Sequence, residues 1–149
     1  MQFINEGKLR FEDPNGTRFQ WEKFDSAKGK KDGVFLIHDL QQLRGLVGPF
    51  SEVALDLVEY SPDKVVFHSP PAGFLWSETN SKGLITFALI KSAYWRRLLF
   101  DLREIVYMQW EGRAAQGEWM RAAQVFPLPA AGHKAIEIHA DGRVKIRNA

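Results

Sequence analysis

The feature that most constrains this chain is a pair of short reversals flanked by alternating apolar and polar residues, one near each end. In the first, Leu9 and Phe11 alternate with polar neighbours, as do Phe19 and Trp21, around Asp13-Pro14-Asn15-Gly16. Asp, Pro and Gly stand at their favoured places in a type I turn. A three-residue loop closed by Gly16 in the left-handed conformation predicts a hairpin with a G1 bulge. That register pairs Phe11 with Phe19 and Leu9 with Trp21 on one face. It pairs Glu12 with Arg18 and Lys8 with Glu22 on the other. A slip of one residue would set apolar against polar throughout.

The second reversal has the same logic. Ile136 and Ile138 alternate with Glu137 and His139, and Val144 and Ile146 with Lys145 and Arg147. A loop of Ala140-Asp141-Gly142 sets Ile138 against Val144, Ile136 against Ile146 and Glu137 against Lys145. A two-residue loop would oppose Ile138 to Lys145, so the longer loop is preferred.

Between these ends, residues 53–60 and 64–69 read as strands about a Ser61-Pro62-Asp63 turn. Residues 73–77 and 84–91 are further strand candidates. Gln116-Gly117 separates a 105–111 run from a 119–126 run, which suggests another hairpin with Val106, Met108 and Trp110 on one face. A short helix is predicted near 40–45, with Asp39 as cap, Gln42 at the third helical position and Gly45 as an early stop. The main helix is predicted over 93–105. Ser92 caps it, and Trp95, Leu98, Leu99, Leu102 and Ile105 form an apolar stripe. Arg97 and Asp101 make a favourable pair one turn apart. Periodicity leaves the boundary open: the helix could run on to Trp110 in place of a strand.

The fold class is therefore α+β: a mostly antiparallel sheet of about six to eight strands built from β-hairpins, with one main helix near 93–105 and a short one near 40–45. A sheet curled into a barrel or split into a sandwich is the alternative. The 149 residues suit a single domain spanning 1–149. Hydrophobic residues at 45% and charged ones at 26% are ordinary for a folded chain. There is no cysteine, which excludes disulfides, thiolate metal sites and a cysteine nucleophile. No secretion signal and no run of about 18 apolar residues is seen, so a cytoplasmic location without membrane contact is expected. A net charge of +2 is too small to imply nucleic acid by itself.

Few residues carry obvious chemistry. His38-Asp39 could pair a base with its orienter, but adjacent side chains do not normally converge, and Asp39 is already claimed as a cap. The histidines at 38, 68, 133 and 139 follow no metal-ligand spacing, and His68-Ser69 lacks the second copy a 2H phosphoesterase needs. No phosphate-cradling glycine loop occurs. Accordingly no catalytic residue, metal or cofactor is expected.

The strongest candidate is an Arg/aromatic flank. On a helix continued past 105, Arg96, Phe100, Arg103 and Tyr107 lie beside the buried stripe. Guanidinium groups and rings so placed could anchor a protein surface, or stack bases and bind phosphates together with the Lys28–Gly33 loop. The competing structural reading is an amphipathic helix whose arginines lie over core rings. Trp76, Trp110 and Trp119, with His68 at the mouth, could instead line a small-molecule pocket or an enzyme's cleft; core filling is the plainer account of the tryptophans. The functional expectation is a non-catalytic protein-binding domain of inhibitor, immunity or assembly-adaptor type. Nucleic-acid binding through the same flank and a small-molecule or enzymatic pocket are the alternatives.

Overall fold

The structure is a computed structural model that describes residues 8–23, 33–62, 64–72, 82–111, 118–129 and 134–147. Among these residues one sheet contains nine strands: β1 (Lys8–Glu12), β2 (Arg18–Lys23), β3 (Val34–Ile37), β4 (Val65–Ser69), β5 (Ile85–Leu89), β6 (Val106–Glu111), β7 (Met120–Arg121), β8 (Lys134–Ile138) and β9 (Val144–Arg147). A 3-10 helix η1 (Leu40–Gly45) and helices α1 (Glu52–Glu59) and α2 (Ala93–Leu102) complete it. The strand order is β7-β1-β2-β6-β3-β5-β4-β8-β9, open at both ends, so the sheet is neither a barrel nor a sandwich. The α+β class with a dominant sheet and few helices holds.

Both terminal hairpins have the predicted registers. Phe11 opposes Phe19 and Leu9 opposes Trp21, with Lys8–Glu22 and Glu12–Arg18 on the other face. Ile138 opposes Val144, Ile136 opposes Ile146 and Glu137 opposes Lys145. Gly16 and Gly142 have φ of 80° and 96°, the left-handed values that a G1 bulge requires. Three pairings were not legible in local patterns and are parallel: β1 with β7, β3 with β5, and β4 with β8. The expected hairpin of residues 105–111 with 119–126 is absent. β6 instead lies antiparallel between β2 and β3, and the two-residue β7 runs alongside β1.

Residues 53–60 are helical, not extended. Ser51 Oγ accepts from the Ala54 N–H at 3.1 Å, a regular N-cap. Ala54 and Val58, four apart, are the buried pair that docks the helix. The strand expected before the Ser61-Pro62-Asp63 turn is therefore a helix, set by this cap and by the four-residue spacing of Ala54 and Val58. The strand candidate at 73–77 lies outside the described residues.

The sheet is covered on both faces. Trp95 and Leu99 of α2 pack with Leu9, Phe11, Phe19, Trp21, Leu36 and Val106 on one side. Leu43 of η1 and Ala54 and Val58 of α1 pack with Phe35, Ile37, Phe67 and Tyr107 on the other. Strand β3, Val34-Phe35-Leu36-Ile37, is buried at every position and feeds both cores alternately.

The segment after β7 is stitched to the first hairpin by Asp13. Its Oδ1 accepts from the amides of Asn15 and Thr17, both at 3.0 Å, and its Oδ2 accepts from the Phe126 amide at 3.0 Å. Asp13 is only 5% exposed. Removing a buried carboxylate strands three N–H donors, each costing on the order of 1 kcal/mol. Asp13→Ala is expected to destabilise the protein by about 3 kcal/mol, read from the urea midpoint. Asn15→Ala, which leaves all three backbone donors in place, is expected to change it little.

Candidate binding surface at the α2 flank

Strands β3 and β5 are parallel neighbours, so their C-terminal ends open on the same edge of the sheet. The Ile90 amide donates to the Ile37 carbonyl at 2.8 Å and extends the pairing by one step. From this edge β3 continues into His38-Asp39 and η1, and β5 into Lys91-Ser92 and α2. An open α/β edge of this kind is where side chains following parallel strands converge.

The turn after β3 is built as the capping pattern requires. Asp39 Oδ1 accepts from the Gln41 amide at 2.8 Å, and Gln42 Oε1 reaches back to the His38 amide at 2.8 Å. Asp39 thus acts as a cap. On the other side, Ser92 begins α2, with its carbonyl accepting from the Arg96 amide at 2.8 Å. Trp95 is fully buried, T-shaped against Phe11, Trp21 and Phe126, and its Nε1 donates to the Val125 carbonyl at 3.0 Å. Tyr94 Oη accepts from the Ala123 amide at 3.1 Å. These contacts fix the rotation of the helix and leave Arg96, Arg97 and Phe100 outside.

Arg96 Nε donates to the His38 carbonyl at 3.1 Å, which joins the two connections. The His38 ring meets Phe100 edge-on at 5.7 Å. Phe100 is 58% exposed, a large ring held in water one helical turn from an arginine. Two adjoining open depressions, of 350 and 470 Å³, share His38, Asp39 and Arg96 as walls. Lys91 lines the first, its ammonium donating to the Ser61 carbonyl. Arg97 and Phe100 line the second. Partial burial holds the His38 imidazole below its ordinary value of 6.5, and the nearby Arg96 charge acts in the same direction, while Asp39 opposes both.

The four residues of the predicted flank do not stay together. Arg96 and Phe100 share it. Arg103 is the helix C-cap, at φ 59°, and is exposed beyond the last turn. Tyr107 lies on β6, fully buried in the opposite core, with its hydroxyl accepting from the Gly33 amide at 2.7 Å. The reason is the left-handed turn at Arg103, which stops α2 three residues short of the predicted 105 and starts a strand. Ile105, counted on the helical stripe, consequently packs against the other core as well. The residue that sequence reasoning set aside, His38, is the one the fold brings to Phe100.

The proposed tryptophan pocket does not assemble from its described members. Trp110 packs on the α2 side of the sheet. Trp119 lies on the reverse side, with the Arg10 and Arg18 guanidinium groups 5.5 and 5.3 Å from its ring centroid. His68, on β4, shares a 2.8 Å hydrogen bond between its Nδ1 and Thr86 Oγ1. Trp76, His133 and the Lys28–Gly33 loop up to residue 32 lie outside the described residues. Among the described residues, no three His, Asp or Glu side chains gather as metal ligands would. No helix among them is long and apolar enough to cross a membrane.

No protein-family model matches the chain, and no curated protein matches it in sequence. Among solved structures it is similar to the solution structure of MTH1692 protein from Methanobacterium thermoautotrophicum, with a TM-score of 0.65 and 10% identity. The likeness covers 99% of this chain and 82% of that one. At such identity it speaks for a shared α+β architecture and transfers no residue's role.

Proposed function

We propose that this chain is a non-catalytic protein-binding domain whose contact surface is the patch of His38, Arg96, Arg97 and Phe100, and that its partner presents carboxylates beside an apolar anchor. The observation that carries this reading is the exposure of Phe100 between cationic neighbours. A ring left 58% open costs solvation without repaying it in packing, and it is the kind of side chain that gains most when a partner covers it. Arg96 stands beside it, its guanidinium already oriented by the His38 carbonyl, so less rotamer entropy is lost on contact. Among the described residues of the patch, no base is paired with a nucleophile. Asp39 is occupied as a cap, and His38 faces a ring.

The test is capture of partners from extract on immobilised protein, compared between the wild type and the Arg96→Glu/Phe100→Ala double variant. Loss of a specific band by roughly tenfold with the variant is expected, the scale of one anchor truncated at an interface. Both positions are exposed, so thermal stability should stay within about 0.5 kcal/mol of wild type. A band that survives both changes would refute the patch. The nucleic-acid reading uses the same groups. A single-stranded oligonucleotide that bound wild type at low salt and was lost steeply with added salt would replace the protein partner with nucleic acid.

A pH dependence follows from His38. In the free protein the imidazole is held neutral near pH 7. A partner's carboxylate favours the protonated ring, so binding takes up a proton. Affinity is therefore expected to rise as pH falls from 7.5 to about 6, while the partner's own carboxylates stay ionised. The His38→Gln variant is expected to flatten that slope, measured by titration of the captured partner at each pH.

A further inference from the structure

The far edge of the sheet carries a second surface, unrelated to the α2 flank. β9 pairs with β8 and ends the strand order, so among the described residues its outer side has no neighbouring strand. The bulge fixes which backbone groups face outward. His139 and Arg143 form a hydrogen-bonded pair through the His139 amide and the Arg143 carbonyl, 3.0 Å apart. Alternation along an antiparallel ladder then turns the amides and carbonyls of Val144 and Ile146 away from β8, toward the open edge.

The start of helix α1 abuts the turn at this edge. The Ser51 amide donates to the Ala140 carbonyl at 2.7 Å, which ties the start of the helix to the β8–β9 turn. Val53 Cγ1 lies 2.9 Å from where a Cβ on Gly142 would stand. From that turn the helix runs across the sheet toward the end of β5, where Glu59 lines the depression beside Lys91, so Val53 is the residue it sets next to the β8–β9 turn. Ala54 and Val58 face the core, and Val53, Leu57 and Tyr60, spaced four and three apart, form an apolar stripe on the neighbouring flank. They are 60%, 39% and 78% exposed. Val144 and Ile146, 48% and 76% exposed, share the α1 side of the sheet with their partners Ile138 and Ile136. Lys145 projects on the opposite side and is exposed.

We propose that the β9 edge receives an extended segment of another protein in which apolar residues alternate with acidic ones. The segment adds a tenth strand by bonding to the Val144 and Ile146 backbone. Its apolar side chains cover Val144 and Ile146, with Val53 at the turn end, and its acidic ones face Lys145. Charge selects this occupant over a second copy of the chain. Were β9 to pair with itself so that Val144 met Ile146, Lys145 would stand opposite its own counterpart. The neighbouring in-phase register would set it opposite position 147, an arginine. Like charges directly across a ladder are destabilising, and a lysine on an edge is a known guard against self-pairing.

The test is fluorescence anisotropy of a fluorescein-labelled peptide of alternating valine and glutamate with the whole chain. Binding is expected, with a matching valine–lysine peptide weaker by about tenfold. Lys145→Glu should invert that preference. Ile146→Pro removes an outward amide without touching the β8 ladder, and should abolish binding with the circular dichroism spectrum unchanged. Absence of binding, or binding indifferent to both variants, overturns the proposal. So does a wild-type dimer in sedimentation that Ile146→Pro abolishes. The Arg96→Glu/Phe100→Ala variant should bind this peptide as wild type does. If that variant loses the peptide and Lys145→Glu keeps it, the peptide belongs to the α2 patch and the edge site is refuted.

Discussion

The seating of Trp95 in its aromatic cage is the constraint on which the arrangement of this molecule turns. The indole meets Phe11, Phe19, Trp21 and Phe126 at centroid distances between 5.1 and 5.7 Å and hydrogen-bonds a backbone carbonyl at its polar end. Emptying such a position costs roughly 3–5 kcal/mol in other cores. Its consequence is directional. A ten-residue helix has one rotation that buries positions 95 and 99, and that rotation necessarily turns 96, 97 and 100 outward. The exposed patch is thus the reverse side of a packing decision made in the core, not an independent feature of the surface.

The same economy governs the sheet. Its centre is a short, wholly apolar strand with helical cover on either side, while its two ends are thin. At one end β1 and β2 present apolar side chains to α2 and a charged face elsewhere, where Glu12 and Arg18 pair at 2.7 Å. At the other end Ile136 and Ile138 of β8 join the α1-side core, while Val144 and Ile146 of β9 stay exposed. The depth of burial falls from the middle outward, and the two candidate contact surfaces sit where the cover ends: one at the strand termini beside α2, the other at the lateral edge beside α1.

The pattern of what could be read from the chain follows from locality. Both hairpins were legible, register included, because a turn of fixed type and two alternating ribbons are specified within about 15 residues. The cap at Asp39 was legible for the same reason. β3 was not anticipated, since a strand buried on both faces loses the period of two that announces a strand. Residues 53–60 misled because the Ser61-Pro62-Asp63 turn suggested a hairpin, whereas the Ser51 cap and the spacing of Ala54 and Val58 make the segment a helix. Tyr107 was misplaced because α2 ends on a left-handed arginine where glycine is the usual signal. Parallel pairings join strands far apart along the chain and leave no local trace. The patch at α2 was half legible: Arg96 and Phe100 follow from helical spacing, whereas His38 arrives through the β3–β5 pairing.

The bond between the Asp13 carboxylate and the Phe126 amide spans 113 positions. A nascent chain completes its first hairpin early, yet Leu9, Phe11, Phe19 and Trp21 must wait for Trp95 and then Phe126 to emerge before that ribbon has a lid. At ordinary elongation rates the wait is on the order of ten seconds. Throughout it the ribbon's apolar face stands uncovered, and Asp13 has its two hairpin amides but not the third donor that closes the lid.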